Sequence, residues 1–166
     1  LPSKGSINIH ASLLPAYRGA APINWAIVNG EKETGLTSFF LKESVDTGDM
    51  ILQADTPISD DDTYDSLHDK LANLAGPFLL ETLALIEHGE SKPVVQDDAV
   101  ASRAPKISPF DAMIDWGFPA GKVRDFVRGM ATKPGAYTYF RGTRLKVHAC
   151  AVAEMVASPL RPGTIL

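Results

Sequence analysis

The chain of 166 residues has one cysteine, Cys150, so no internal disulfide can brace it. No apolar run approaches the roughly 18 residues needed to cross a bilayer, and there is no internal repeat or low-complexity tract. The four histidines, His10, His68, His88 and His148, lack the paired spacing of metal ligands, which argues against a metal centre. His68 and His88 read as polar-face residues of a helix and His148 as a strand residue. With 45% hydrophobic residues and a mean hydropathy of -0.02, the expectation is a cytoplasmic globular protein without metal or membrane contact.

What is present is an α/β pattern followed by a β pattern. "GSINIH" alternates and then stops, as a strand does; "APINWAIVNG" spaces Ile23, Ala26 and Ile27 as a helix closed by Gly30. "TGLTSFFLK" and "MILQADTPI" are rich in β-branched and aromatic residues and read as strands. Asp62 or Thr63 then caps a long helix whose stripe of Leu67, Leu71, Leu74, Phe78, Leu79, Leu83 and Ile86 ends at Gly89. Pro77 predicts a kink or break near Gly76. Residues 90–108 read as a linker. A short helix over about Ala120 to Met130 follows, then a hairpin made of "GAYTYF", the turn "RGT" and "RLKVHACAVA". The closing "GTIL" looks like the opening of a further strand and the chain starts at Leu1, so a piece of a longer chain is expected.

Asn8 and His10 share one face of the first strand, while Ile7 and Ile9 point the other way. At the carboxyl end of a strand in an open α/β sheet, polar side chains reach the crevice where ligands bind. An amide beside an imidazole suits an oxyanion developing at a carbonyl carbon, which points to acyl-group chemistry. "KESVDTGDM" adds Asp46 and Asp49 in a turn between two strands, where a buried carboxylate would orient the imidazole or take part in proton transfer. A histidine at a strand end also serves purely structural ends, and Asp-Thr-Gly-Asp is also an ordinary Asx turn. His10, Ser12 and Asp46 supply the residue types of a hydrolase triad, yet no Gly-x-Ser-x-Gly elbow surrounds Ser12.

Charge is unevenly spread. The whole chain carries a net -4, but residues 103–148 hold nine Lys and Arg against three Asp. One end of the molecule is therefore suited to a polyanion, or presents a solvated basic face.

The stretch "INIHASLLPAYRGAAPINWAI", followed by "VDTGDM", resembles the methionyl-tRNA formyltransferase family within the formyltetrahydrofolate-using enzymes. The resemblance continues through "PKISPFDAMIDW" and "VRDFVRGMATKPGAYTYFRGTRLKV" and covers nearly the whole chain. "GMATKPGAY" departs from a tryptophan-containing stretch of that family, and the first half of the family's catalytic domain has no counterpart in the chain. The resemblance implies an α/β fold: the C-terminal half of a doubly wound formyltransferase domain at residues 1–89, a linker at 90–108, and the start of an OB-like β-barrel domain at 109–166. It implies Asn8, His10 and Asp46 as catalytic residues, with Ser12, Leu13, Leu14 and Pro15 lining the site of 10-formyltetrahydrofolate, the formyl donor. The implied acceptor is initiator methionyl-tRNA and the implied full-length protein a monomer, with these 166 residues inactive alone. A nucleotide-amino-sugar formyltransferase or a formyltetrahydrofolate hydrolase would use the same three residues, and a noncatalytic RNA-binding module would account for the basic segment alone.

Overall fold

The computed structural model describes residues 2–153 and 161–164. The elements run β1 (Ile7–His10), α1 (Pro22–Asn29), β2 (Glu33–Phe40), β3 (Met50–Pro57), α2 (Tyr64–Glu87), α3 (Ala120–Gly129), β4 (Tyr137–Phe140) and β5 (Thr143–Lys146), with a 3-10 turn at Asp98–Val100. Local chemistry explains the boundaries. Pro22 opens α1, where its missing N–H costs nothing, and Gly30 closes it in the left-handed region at φ 78°. Thr63 and Ser66 form a reciprocal capping box at the start of α2.

β1, β2 and β3 form one sheet in that order, with both pairings antiparallel. β2 is central and buried from Thr34 through Phe39, so both of its faces are covered. Ile23 and Ile27 of α1, Leu36 of β2, and Leu67, Leu71 and Phe78 of α2 meet in the first core. A doubly wound sheet is built from parallel neighbours, and none of the described strand pairs within this sheet is parallel. The β2–β3 connection, residues 41–49, is too short for the crossover that parallel strands require.

α2 runs through Pro77 without the break that was one of the two expectations there. Pro77 and Asn73, whose carbonyl loses its partner to the proline, are both exposed, so water can replace the missing bond. The apolar stripe is also narrower than its sequence suggests. Leu67, Leu71, Phe78 and Thr82 are buried, whereas Leu79 and Leu83 lie one step round the helix and are exposed. Thr82 takes its place in the interior by donating to Phe78 O and bonding Ser38 Oγ of β2.

A second core gathers Ala112, Ile114, Val123, Val127, Met130, Ala136 and Tyr137. α3 lies against α1 at close range, because a Cβ on Gly129 would meet Val28 Cγ2 at 2.7 Å, and Asn24 Nδ2 donates to Gly129 O at 2.8 Å. β4 and β5 make an antiparallel hairpin, but β5 stops at Lys146 rather than continuing through "VHACAVA". Two strands do not make a barrel, and among the described residues this hairpin is all the sheet that the expected start of an OB-like domain shows. The strand expected at the end of the chain lies at its tip outside the described residues.

The basic segment is less available than its composition suggests. Arg128 is buried, with Nε donating to Asp125 Oδ1 at 2.9 Å and Nη1 donating to the carbonyls of Ser59 and Asp62. It joins α3 to the turn before α2. Arg124 pairs with Asp125, while Arg103, Arg141, Arg144 and Lys146 remain on the surface.

Asp62, at the centre of that turn, accepts from Ser59 N–H, Ser66 Oγ and the Lys70 ammonium. Burial pushes its carboxyl up, but these donors outweigh it and hold the pKa down to about 2, against 3.8 for a free carboxyl. A depressed carboxyl contributes stability that is present above the unfolded value and lost as pH falls through the folded one. On the order of 2 kcal/mol should therefore disappear between about pH 4 and pH 2. Urea unfolding at a series of pH values should show this loss in the native sequence and a flatter profile in Asp62→Asn.

Candidate active site

The antiparallel register sets His10 opposite Thr37, and Thr37 organises the loop that follows His10. Its fully buried hydroxyl donates to Ser12 O at 2.7 Å and accepts from Leu14 N–H at 3.0 Å and from Gln53 Nε2 at 2.9 Å. Gln53 also donates to Leu14 O at 2.8 Å. The Ser-Leu-Leu-Pro loop is thus held by side chains of β2 and β3, with Leu14–Pro15 in the cis form. Ser12 is buried and donates to Ala16 O at 2.6 Å, so its hydroxyl is engaged in the loop and is not a free nucleophile.

His10 is 7% exposed and its two ring nitrogens face different groups. Nε2 lies 2.8 Å from Tyr17 O, and Nδ1 lies 3.6 Å from Asp46 Oδ2. Asp46, 12% exposed, sits in the β2–β3 turn at φ 54°, a left-handed conformation unusual for a residue with a side chain. Its Oδ2 also accepts from Gly19 N–H at 2.9 Å. The turn itself is tight. A Cβ at Gly48 would fall 1.6 Å from Phe40 O, and Thr47 Oγ1 donates to Ser44 O. Asp49, the other acid of the turn, pairs outward with Lys42 at 2.7 Å.

Tyr17 supports the same loop from its other side. It stands at φ 62°, and its hydroxyl donates to Glu31 Oε1 at 2.6 Å. Burial, followed by that bond to Glu31, pushes the phenol up to about 12.

The segment after α2 closes the site. Val94 pairs with Met50 of β3, and residues 102–104 run parallel to Arg18, with Arg18 N–H donating to Ser102 O and Ala104 N–H donating to Arg18 O. Between these two anchors lies Gln96. Its Nε2 donates to Asp46 O and Gly48 O at 2.8 Å each, and its Oε1 accepts from Arg18 Nε at 2.9 Å and Nη2 at 2.8 Å. A cleft of about 600 Å³ opens beside the Asp46 turn, bordered by Arg18, Ser44, Thr47, Ser102 and Arg103 among others.

Of the residues singled out in the sequence, His10 and Asp46 are brought together. Asn8 shares the face of His10 two positions back, about 6–7 Å along the strand, and is exposed. Ser12, Leu13, Leu14 and Pro15 form one loop. Ser12 and Leu14 are buried beneath it, and Leu13 borders a pocket of about 160 Å³ with Tyr17, Glu31 and Glu33. Thr37, Gln53, the Gly19 amide and Gln96 went unnoticed in the sequence. A threonine in "GLTSFF" looks like any strand residue, and nothing in "VVQDD" marks Gln96 as buried. Among the described residues no cluster of three His, Cys, Asp or Glu is arranged to hold a metal, and no helix is long and apolar enough to cross a membrane.

The fold is thus an α/β layer that presents an imidazole and a carboxylate near the end of a strand, closed by a returning segment. Comparison with known proteins narrows this. Residues 1–83 match the Formyl transferase family and residues 106–166 match the Formyl transferase, C-terminal domain family. A methionyl-tRNA formyltransferase of Caldanaerobacter subterraneus subsp. tengcongensis is 48% identical over 166 residues, covering all of this chain and 53% of the relative. Among solved structures, a sugar 3N-formyl transferase superposes with a TM-score of 0.77 at 21% identity, over 92% of this chain and 55% of that one. A methionyl-tRNA formyltransferase from Clostridium thermocellum superposes with a TM-score of 0.67 at 20% identity, over 89% and 63%. The chain belongs to the formyl transferase family. It spans about half the length of the curated relatives it matches.

Gly19 tests how tightly this corner is assembled. It stands at φ 126°, and a Cβ there would fall 2.5 Å from Ala104 O. Gly19→Ala should lower the unfolding free energy by at least about 1 kcal/mol, from the backbone strain alone, as measured by thermal unfolding. It should also displace the amide that Asp46 accepts from.

Proposed function

We propose that this chain is part of an enzyme that transfers the formyl group of 10-formyltetrahydrofolate to the amino group of initiator methionyl-tRNA, for translation initiation. The observation that carries the reading is the His10–Asp46 pair at the end of β1, in a chain 48% identical along its whole length to a methionyl-tRNA formyltransferase. The methionine amine attacks the formyl carbon, and the tetrahedral intermediate then collapses with cleavage of the bond to N10 of the folate, which leaves as tetrahydrofolate carrying the proton that the amine gives up. Asn8 donates its amide hydrogen bond to the oxyanion that develops there, and His10 gives it the Nε2–H that otherwise goes to Tyr17 O. Asp46 holds the imidazole from the Nδ1 side and assists removal of the proton from the amine. The loop Ser12–Pro15 supplies one wall of the folate site. A HypX from Aquifex aeolicus solved in complex with tetrahydrofolic acid has a similar fold, which supports a folate as the donor.

In this reading residues 1–89 are the C-terminal part of the catalytic domain, 90–108 its link, and 109–166 the start of an OB-like domain. The separate family matches at 1–83 and 106–166 support the division. The outer edge of β1, unpaired among the described residues, and the exposed Leu79, Leu80 and Leu83 of α2 suit packing against the remainder of the catalytic domain. The complete protein is a cytoplasmic monomer, and the tRNA meets the surface bases of the second half.

Two measurements on the complete protein test the reading. His10→Ala and Asp46→Ala should each lower kcat for formylation of methionyl-tRNA by at least about a hundredfold with unchanged circular dichroism; near-normal turnover in either removes the assignment. Arg141→Ala with Arg144→Ala should flatten the logarithmic dependence of tRNA affinity on salt by roughly one unit of slope per lost phosphate contact. An unchanged slope moves the tRNA surface elsewhere. Arg128 is not in this set, because it is buried and bonded within the protein.

A further inference from the structure

We infer that Gln96 is a positioning residue of the reaction: it fixes Asp46 against His10 by tying the Asp46 turn to the Arg18–Gly19 segment. The inference rests on the proposed catalytic role of Asp46 and extends it to a residue that touches neither substrate nor reacting atoms.

The argument begins with hydrogen-bond capacity. A glutamine amide has two donor hydrogens and an oxygen with two lone pairs. In Gln96, 6% exposed, all four are used. Both hydrogens go to the backbone of one turn, at Asp46 O and Gly48 O, and both lone pairs accept from one guanidinium, that of Arg18. The orientation of the amide is therefore fixed by chemistry, since turning it over would set its NH2 against the guanidinium and its oxygen against two carbonyls.

What those two segments do explains why the tie matters. The Asp46 carboxylate is aimed by two things, its own backbone conformation and the Gly19 N–H. The backbone is at φ 54°, outside the regions a side-chain-bearing residue prefers, so it holds only if its surroundings over-determine it. Gln96 binds the carbonyls of residues 46 and 48 and thereby clamps that conformation. Through Arg18 it also holds the residue preceding Gly19, whose amide meets the carboxylate. One buried side chain thus fixes both the acceptor and the donor that set the Nδ1 contact of His10. Arg18 Nη1 reaches on to Asp98 at 2.8 Å, which anchors the far end of the tie. A catalytic group displaced by about 1 Å can lose on the order of a hundredfold in rate.

The test uses the complete protein and compares Gln96→Met, of similar length without hydrogen-bonding groups, with Gln96→Glu, which keeps the two acceptor positions for Arg18 and loses both donors to the turn. Both variants should lower kcat by about tenfold to a hundredfold, with KM for the formyl donor and for methionyl-tRNA changed by no more than about threefold. If Gln96→Met fails to fold, Gln96→Glu carries the test alone. A readout independent of activity is the imidazole Cε1–H resonance of His10 at fixed pH, with His68, His88 and His148 as controls. It should move in Asp46→Asn and move again in the Gln96 variants, while the three control resonances stay in place. A His10 resonance that moves in Asp46→Asn but not in the Gln96 variants, or a wild-type kcat in the latter, overturns the role of Gln96 and leaves the proposed function standing. A resonance and a kcat indifferent to Asp46→Asn overturn the role of the carboxylate, and with it both inferences.

Discussion

The antiparallel register of β1 on β2 is the constraint from which the site is built. Because His10 falls opposite Thr37, the hydroxyl of Thr37 lies beneath the chain just past the strand end. There it bonds Ser12 O and Leu14 N–H. The loop takes its path from that contact, and the path returns Tyr17 O to the imidazole and Gly19 N–H to Asp46. A slip of one residue would turn His10 to the other face of the sheet and leave a buried hydroxyl without partners. β2 is covered on both faces, so such a slip would also misplace Leu36 and Phe39 in the core.

The two halves of the chain differ in how they use charge. In the second half, composition suggests one basic surface, whereas packing divides it. Arg128 is drawn inward because three acceptors wait there, two of them main-chain carbonyls of the turn before α2. A buried guanidinium with its donors engaged is stable where a lone one would not be. Arg144 instead lies 3.7 Å from the centre of the Tyr137 ring while remaining exposed. Only cations of this second kind can meet a polyanion.

Much of the first half was legible in the sequence, because its elements are bounded by residues with one structural meaning. Gly30 ends α1, Thr63, one of the two candidate caps, begins α2, and the alternation of "INIH" places Asn8 and His10 on one face. The His10–Asp46 pairing could be anticipated from residue type, since imidazole and carboxylate attract wherever a turn returns one to the other. What could not be read depends on long-range closure. Pro77 was expected to break α2, but its effect depends on which side of the helix meets water. Gln96 lies 50 residues beyond Asp46 in an irregular stretch, and only the assembled sheet brings them together. The antiparallel pairing of all three strands was likewise hidden, because strand direction depends on how connections cross the sheet rather than on what the strands contain.

The stretch between α2 and α3 has the backbone of a loop and the obligations of a strand. Val94 is bonded to Met50, Gln96 to the Asp46 turn and the Arg18 side chain, and Ser102 and Ala104 to the main chain of Arg18. Insertion or deletion of a single residue between any two of them would shift every later partner by one place. Natural variation in length should therefore be confined to its outer ends, near Gly89 and beyond Pro105. In sequences of this type a stretch without secondary structure would then align without gaps, and a gap inside it would mark a chain whose Asp46 turn is held by some other means.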